Sequence, residues 1–435
     1  MNLVNRAYAC FLAFTIVLCT AVPVWSVELT DKEVAEFQGV LEKRRAEPKV
    51  RVGAQPEHVP SDIIKFFKPF EGIKYGGYVE NYYQYESVNP GSGDQNALPP
   101  LGFHRQANSF TVNNIELWLY KNANNPGDIG FKITLNWGDL ARYITPFGPV
   151  RDDKTAQPNP PGTPTGGRQT TFSEGYALWN IPVGKGLTAK FGKFASWIGY
   201  EDWESIFNPN VTTSYINNAA TPNTNTGLGL SYPFTDRFTL DFYFTNTFDT
   251  FVNNNKSFMY GLQFDYDPPD FWFFKNANIN LDTIWGPSEA SNNSDWYQIY
   301  NLAITFFPYH KLAWVTNANL NHSSAKLRRP SGRMKDDNSV WGVAQYFIYD
   351  HTDWLGFAVR GEYFWDQENL QDLSGGTGAS LAEVTFTLNL KLREKLMIRP
   401  EIRYDKIISM PGGTAHVWNG DNNNVNGIVS VSYEF

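Results

Sequence analysis

The chain has 435 residues, 18% of them charged and 16% aromatic, and its mean hydropathy is −0.39. Charge falls below the roughly 25% usual for soluble domains, and the aromatic share excludes a disordered chain. The net charge of −8 argues against a nucleic-acid surface. Beyond the extreme N-terminus no run approaches the ~18 apolar residues of a membrane helix.

Residues 1–26 read as a secretory signal: Arg6 is the positive n-region, Ala7 to Ala21 is almost wholly apolar, and Ser26 precedes the cleavage point at Val27. The competing reading is an uncleaved anchor. Both cysteines, Cys10 and Cys19, lie in this segment, and Val17-Leu18 before Cys19 is not a lipoprotein pattern. Cleavage would remove every cysteine and Arg6, taking the net charge from −8 to −9 (−8 − 1). Residues 27–71 hold a short helical candidate, Asp31 to about Arg45, with Thr30 and Glu33 as a capping box and Val34, Phe37 and Leu41 on one face. Pro48, Pro56 and Pro60 follow as a linker. The segment reads as a solvated leader, with a periplasmic contact or pore plug as the alternative.

From Gly72 the hydrophobic period becomes two. Ala382, Val384, Phe386, Leu388, Leu390 and Leu392 alternate with Glu383, Thr385, Thr387, Asn389, Lys391 and Arg393, and the segments at 131–137, 238–245 and 277–282 repeat the pattern. Successive strand side chains point to opposite faces, so each segment has an apolar and a polar face. Strands are expected near 72–87, 108–121, 127–140, 171–182, 186–198, 223–233, 236–247, 256–268, 274–286, 295–307, 310–323, 338–350, 353–366, 380–393, 395–406 and 427–435. These are about sixteen, each long enough for a bilayer crossing of ~9–11 residues. Short connections alternate with long ones at 88–107, 141–170, 199–222, 324–337, 367–379 and 407–426. A sandwich has no reason to keep that rhythm, whereas an outer-membrane barrel does, and an even count leaves both termini in the periplasm.

Aromatics gather toward segment ends: Tyr82, Tyr83, Tyr85, Trp137, Phe271 to Phe274, Trp285, Phe306, Phe307, Trp354 and Trp365. Rings of this kind form girdles at the headgroup level. In the final strand Val429, Val431, Tyr433 and Phe435 share one face, so Tyr433 and Phe435 are expected to carry the signal read by barrel-insertion machinery. The expected fold is therefore all-β: a transmembrane antiparallel up-and-down barrel over residues 72–435, with a short N-terminal helix.

Gly76-Gly77-Tyr78-Val79-Glu80, Asn113-Asn114-Ile115-Glu116-Leu117, Gly192-Lys193-Phe194 leading to Ile198-Gly199-Tyr200-Glu201, and Thr224 to Gly227 followed by Tyr232-Pro233-Phe234-Thr235-Asp236 stand in order along the chain. In that order they resemble the putative β-barrel porin-2, OmpL-like, family of Gram-negative outer membranes over Gly72 to Phe435. The chain departs from the family at Asn246-Thr247-Phe248-Asp249 and at the apolar insertion Pro268–Phe274. The resemblance implies an outer-membrane barrel and brings no catalytic residues.

An enzyme needs a nucleophile and base within hydrogen-bond reach. His58 is in the linker, His104, His351 and His416 fall in loops or turns, and His310 begins the strand expected at 310–323; His322, at a strand end near Ser323 and Ser324, offers a Ser–His pair, with a solvated loop edge as the alternative. No HExxH, P-loop or GxSxG is present. Asp421 with Asn422 to Asn424, and Asp336-Asp337, offer oxygen ligands without EF-hand spacing. No cofactor is expected.

Sixteen strands leave a water-filled lumen. The expected function is passive diffusion of small hydrophilic solutes, with an adhesin or structural barrel, or a barrel hydrolase, as alternatives. The expected inward acids are Glu80, Glu116, Glu174, Asp241, Asp265, Asp267, Asp282, Glu362, Asp366, Glu383, Glu401 and Asp405; the inward bases are Lys132, Lys190, Arg360, Lys391, Arg393, Arg399 and Arg403. Twelve acids against seven bases favour cations. Four of those bases lie on 380–393 and 395–406, giving one basic wall, which either orients dipolar solutes or pairs with Glu383, Glu401 and Asp405. Outer-membrane lipid and lipopolysaccharide are the expected surroundings, and a homotrimer is expected by analogy alone.

Overall fold

The computed structural model describes residues 72–88, 103–144 except 105, 170–288 except 273, 292–324 except 310, 327–328, 334–335, 338–366, 378–392, 395–410 and 421–435. The expected signal, leader helix and linker lie outside these residues, as do His58, His310, His416, Asp336, Asp337 and Arg393.

The strands run in chain order: β1 Lys74–Glu86, β2 Ser109–Lys121, β3 Ile129–Trp137, β4 Thr170–Ile181, β5 Leu187–Ala195, β6 Thr224–Pro233, β7 Phe238–Thr245, β8 Met259–Tyr266 and β9 Asn278–Pro287. Then come β10 Trp296–Tyr309, β11 Leu312–Ser323, β12 Leu327–Arg328, β13 Met334–Lys335, β14 Asn338–Thr352, β15 Leu355–Asp366, β16 Ala379–Leu392, β17 Leu396–Ser409 and β18 Asn423–Glu434. Among the described residues, all but β12 and β13 form one closed barrel of sixteen strands, in chain order, with β1 paired to β18. β12 and β13 make a small hairpin apart from it. Every barrel pairing is antiparallel, because each strand is joined to the next by a direct connection.

Closure removes the exposed sheet edges that would otherwise invite aggregation. At the seam Tyr78 lies opposite Glu434 and Glu86 opposite Asn426. Phe435 extends the pairing: its N–H donates to Gly77 O at 2.9 Å and its carbonyl accepts from Gly77 N at 3.3 Å. The terminal aromatic is thus part of the closing seam, with Tyr433 and Phe435 both exposed on the outer face.

Alternation carries through to burial. On β16, Glu383, Thr385 and Thr387 are buried while Val384 and Phe386 are exposed; on β17, Glu401, Arg403 and Asp405 are buried while Ile402 and Tyr404 are exposed. Leu388 and Ile398 share the outer face. Polar residues therefore form the interior and apolar ones the belt, the inverse of a soluble core.

Rings ladder around that belt. At the short-turn rim Phe274, Phe306, Trp314 and Phe347 follow one another with centroids 4.8, 5.3 and 5.0 Å apart. At the long-loop rim Tyr83 meets Phe110 at 4.7 Å and Trp341 meets Trp365 at 6.3 Å. The girdle expectation needs one correction. Tyr82 points inward and is buried against the His104 ring at 4.8 Å, because it shares the parity of Glu80 and Gln84.

Candidate functional site: a loop clamped inside the barrel

One long connection does not stay outside. The segment 196–223, between β5 and β6, folds into the barrel and is buried along most of its length. Its sequence explains why. Trp203, Val211, Tyr215 and Ile216 are too apolar for an exposed loop, and Glu201 matches Arg360 on the wall.

The segment enters along β7 to β9. Trp197 stacks on Tyr243 at 3.7 Å with planes 4° apart, its carbonyl accepts from Gln263 Nε2 at 3.3 Å, and Gly199 N–H donates to Asp282 at 3.1 Å. It then reaches β15. Arg360 Nη1 donates to Glu201 at 2.7 Å and to Thr212 O at 2.6 Å, while Arg360 Nε donates to Glu383 at 2.5 Å. Farther on, Ser205 donates to Glu80 of β1, and Arg399 of β17 donates to Ser205 O at 2.5 Å and Asn208 O at 2.9 Å.

The return path is bonded as closely. Glu401 accepts from Val211 N at 2.5 Å and Thr212 N at 2.9 Å. Arg403 donates to Thr213 O at 2.7 Å and lies over the Tyr215 ring at 4.9 Å. Glu362 accepts from Tyr215 N at 2.6 Å and Ile216 N at 2.8 Å, and the Tyr215 hydroxyl donates to Asp405 at 2.5 Å. Residues Ile216–Ala220 form a π-helical turn over Gly342. A Cβ at Gly342 would sit 2.7 Å from Ile216, so only glycine allows this approach.

The acidic tip has its own contact. Glu204 is buried beside the Glu116 carboxyl of β2. Burial, then Glu116 and Asp202, hold the Glu204 carboxyl well above the ordinary range, with Lys132 opposing. Lys132 itself is ion-paired to Glu174.

The expected pore residues other than Arg393 can now be placed. Arg360, Arg399, Arg403, Glu362, Glu383, Glu401 and Asp405 point inward but are buried beneath the loop, not open to water. The expected open basic wall is therefore corrected: its guanidiniums clamp the loop. Arg360 pairs with Glu201 and Glu383, and Arg403 with Asp405, while Arg399 is bonded to neutral acceptors and Glu362 and Glu401 accept from loop N–H groups, so five carboxylates line the clamp against three guanidiniums. Glu116, Lys132 and Asp282 are also inward and buried. Lys391 lies at the short-turn rim, exposed and 3.4 Å from Asp350. Asp241 and Asp267 are inward and half-buried, and Asp265 is 8% exposed. Lys190 lies over the Tyr176 ring at 5.2 Å on the same wall.

Sequence reading missed two groups. Glu86, inward on β1, accepts from Asn424 at 2.5 Å, and its parity with Glu80 was legible. The acids of the folded-in segment were legible only as an odd loop composition. The Ser–His candidate separates: Ser323 is inward, while His322 pairs on the outer face with Ser339 at 3.2 Å.

Residues 72–435 match the family model described as putative beta-barrel porin-2, OmpL-like. The chain belongs to this family. Among solved structures this porin-2 barrel is similar to the outer membrane channel DcaP of Acinetobacter baumannii, with TM-score 0.54, 8% identity, and coverage of 83% of this chain and 97% of that one. It is also similar to OmpF of Salmonella typhi, at TM-score 0.53, 10% identity, and 84% and 98% coverage. The anion-selective porin from Comamonas acidovorans follows at 0.52, 10% identity, and 83% and 99%. Identities this low show the fold alone. No curated protein matches the chain.

Proposed function

We infer that this porin-2 barrel is an outer-membrane diffusion channel for small hydrophilic solutes, non-enzymatic and mildly cation-selective. The observation that carries the reading is the clamped segment 196–223. It crosses the lumen from β7–β9 to β1 and β15–β17 and consumes the guanidiniums of the far wall, and we take the passage to run along β5 to β10. There the polar inward positions Asp241, Gln263, Asp267, Asn278 and Asn280 are half-buried. Asp241, Asp265 and Asp267 outnumber Lys190 on that wall, and a low-dielectric surround focuses their field on the passing ion.

Family membership supports a porin, and the barrel architecture supports an outer-membrane setting with lipid and lipopolysaccharide around the belt. A homotrimer remains the expected assembly by analogy. Single-channel recording in a planar bilayer tests the reading. Stepwise conductance with a positive ion preference supports it, and a silent bilayer with correctly folded protein rejects it.

A further inference from the structure

Behind the mouth of this passage the register builds a grid on the inner face of three strands. Asn301 of β10 stands directly opposite Asp282 of β9 and Asn319 of β11; one step along, Ala303 stands opposite Asn280 and Asn317. All six share one face and one level of the barrel, because a shift of two residues returns a strand to the same side.

The polar atoms of this grid are not satisfied. Among the described residues, Asn301 and Asn319 have no partner for either amide atom, and Asn280 and Asn317 have none for the amide oxygen. Asn301 is wholly buried, and Asn319 is 4% exposed. Buried amides are almost always hydrogen-bonded, so these exceptions call for a partner from outside the chain, a water or an ion. Asp282 supplies a carboxylate beside them, held by Gln263 Nε2 at 2.9 Å and by Gly199 N–H at 3.1 Å. Four unpartnered amide oxygens and one carboxylate against two amide nitrogens form an acceptor-rich set, the donor chemistry of a hard cation.

We propose that Asp282 with Asn280, Asn301, Asn317 and Asn319 is a cation-binding subsite, taking a metal cation such as Ca²⁺ through oxygen. Its role as a station on the permeation path rests on the channel reading above; binding itself does not. One fixed charge among neutral oxygens binds weakly, as conduction requires, since an ion must also leave. Water filling the grid is the competing occupant, and the test separates the two.

The test uses the full-length barrel, purified in detergent and checked for heat-resistant strand structure. Tb³⁺ is added, and its luminescence is read on excitation of tryptophan, Trp197 being linked to Asp282 through Gln263. The proposal expects a saturable signal displaced by Ca²⁺. Asp282→Asn and, separately, Asn301→Leu should each weaken Tb³⁺ at least tenfold while keeping the fold. Absence of a saturable signal, or equal affinity in both variants, overturns the subsite in favour of water. Conductance without Tb³⁺ binding rejects the subsite alone, and Tb³⁺ binding without conductance keeps the subsite and rejects the channel.

Discussion

At the scale of single residues the arginines matter most, and their role is mechanical. Arg399 is buried and spends its donors on Asn389 Oδ1, Ser205 O and Asn208 O. Removing it leaves buried acceptors without a donor, at a cost of ~1–3 kcal/mol each. Arg399→Ala should therefore lower the midpoint of thermal unfolding and make the segment near Ser205 cleavable by added protease; an unchanged digest would contradict the clamp. Glu204 gives a pH dependence. Its carboxyl is held above its ordinary value of 4.5 when the tip is docked and returns toward it when the tip is released. The docked state therefore binds the extra proton, is favoured at acid pH, and loses ground as pH rises above about 4.5 toward the raised value. The groups facing Glu204 are Glu116, Lys132, Tyr78 and Asp202, with Glu174 behind Lys132. Conductance should be lowest near pH 5 and climb toward pH 8, and Glu204→Gln should flatten that rise. A rise of equal size in the variant would place the titration elsewhere.

At the scale of elements, strands were legible and the folded-in loop was not, for a physical reason. Each of the sixteen barrel strands overlaps an expected one, since lipid outside and polar groups inside impose a period of two that nothing local can override. Ile402 shows how firm the period is: exposed on the outer face between buried Glu401 and Arg403, it should cost ~2–4 kcal/mol as Ile402→Lys at the midplane. Unfolding of the barrel in denaturant measures this, and a neutral result would move the residue off the lipid face. The segment 196–223 has no such period. Its place depends on pairs separated widely in sequence, Glu201 with Arg360 and Tyr215 with Asp405, which no local pattern announces. Its signal was compositional: buried-type residues in a stretch read as an exposed loop. Deleting residues 203–214, with a short glycine linker, should raise single-channel conductance about twofold or more, since pore area then grows; unchanged conductance would show that the constriction lies elsewhere.

At the scale of the whole molecule the account rests on where charge remains available to an ion. Sequence counting found an acidic interior with a basic wall, and folding places the segment 196–223 on that wall with acids of its own. Glu201 and Glu383 neutralise Arg360, Asp405 neutralises Arg403, and Arg399 is buried against loop carbonyls, so the arginines contribute little field to the passage. On the channel reading, the residual charge facing the passage comes from Asp241, Asp265 and Asp267, with Asp282 deeper in the wall, against Lys190. Selectivity should accordingly weaken as salt screens these groups. The most direct measurement is the reversal potential of the reconstituted barrel across a KCl gradient, with the Asp241→Asn and Asp267→Asn double variant alongside. The account predicts K⁺ preference in the native barrel and loss of most of it in the variant; Cl⁻ preference, or a K⁺ preference the variant leaves intact, would contradict it.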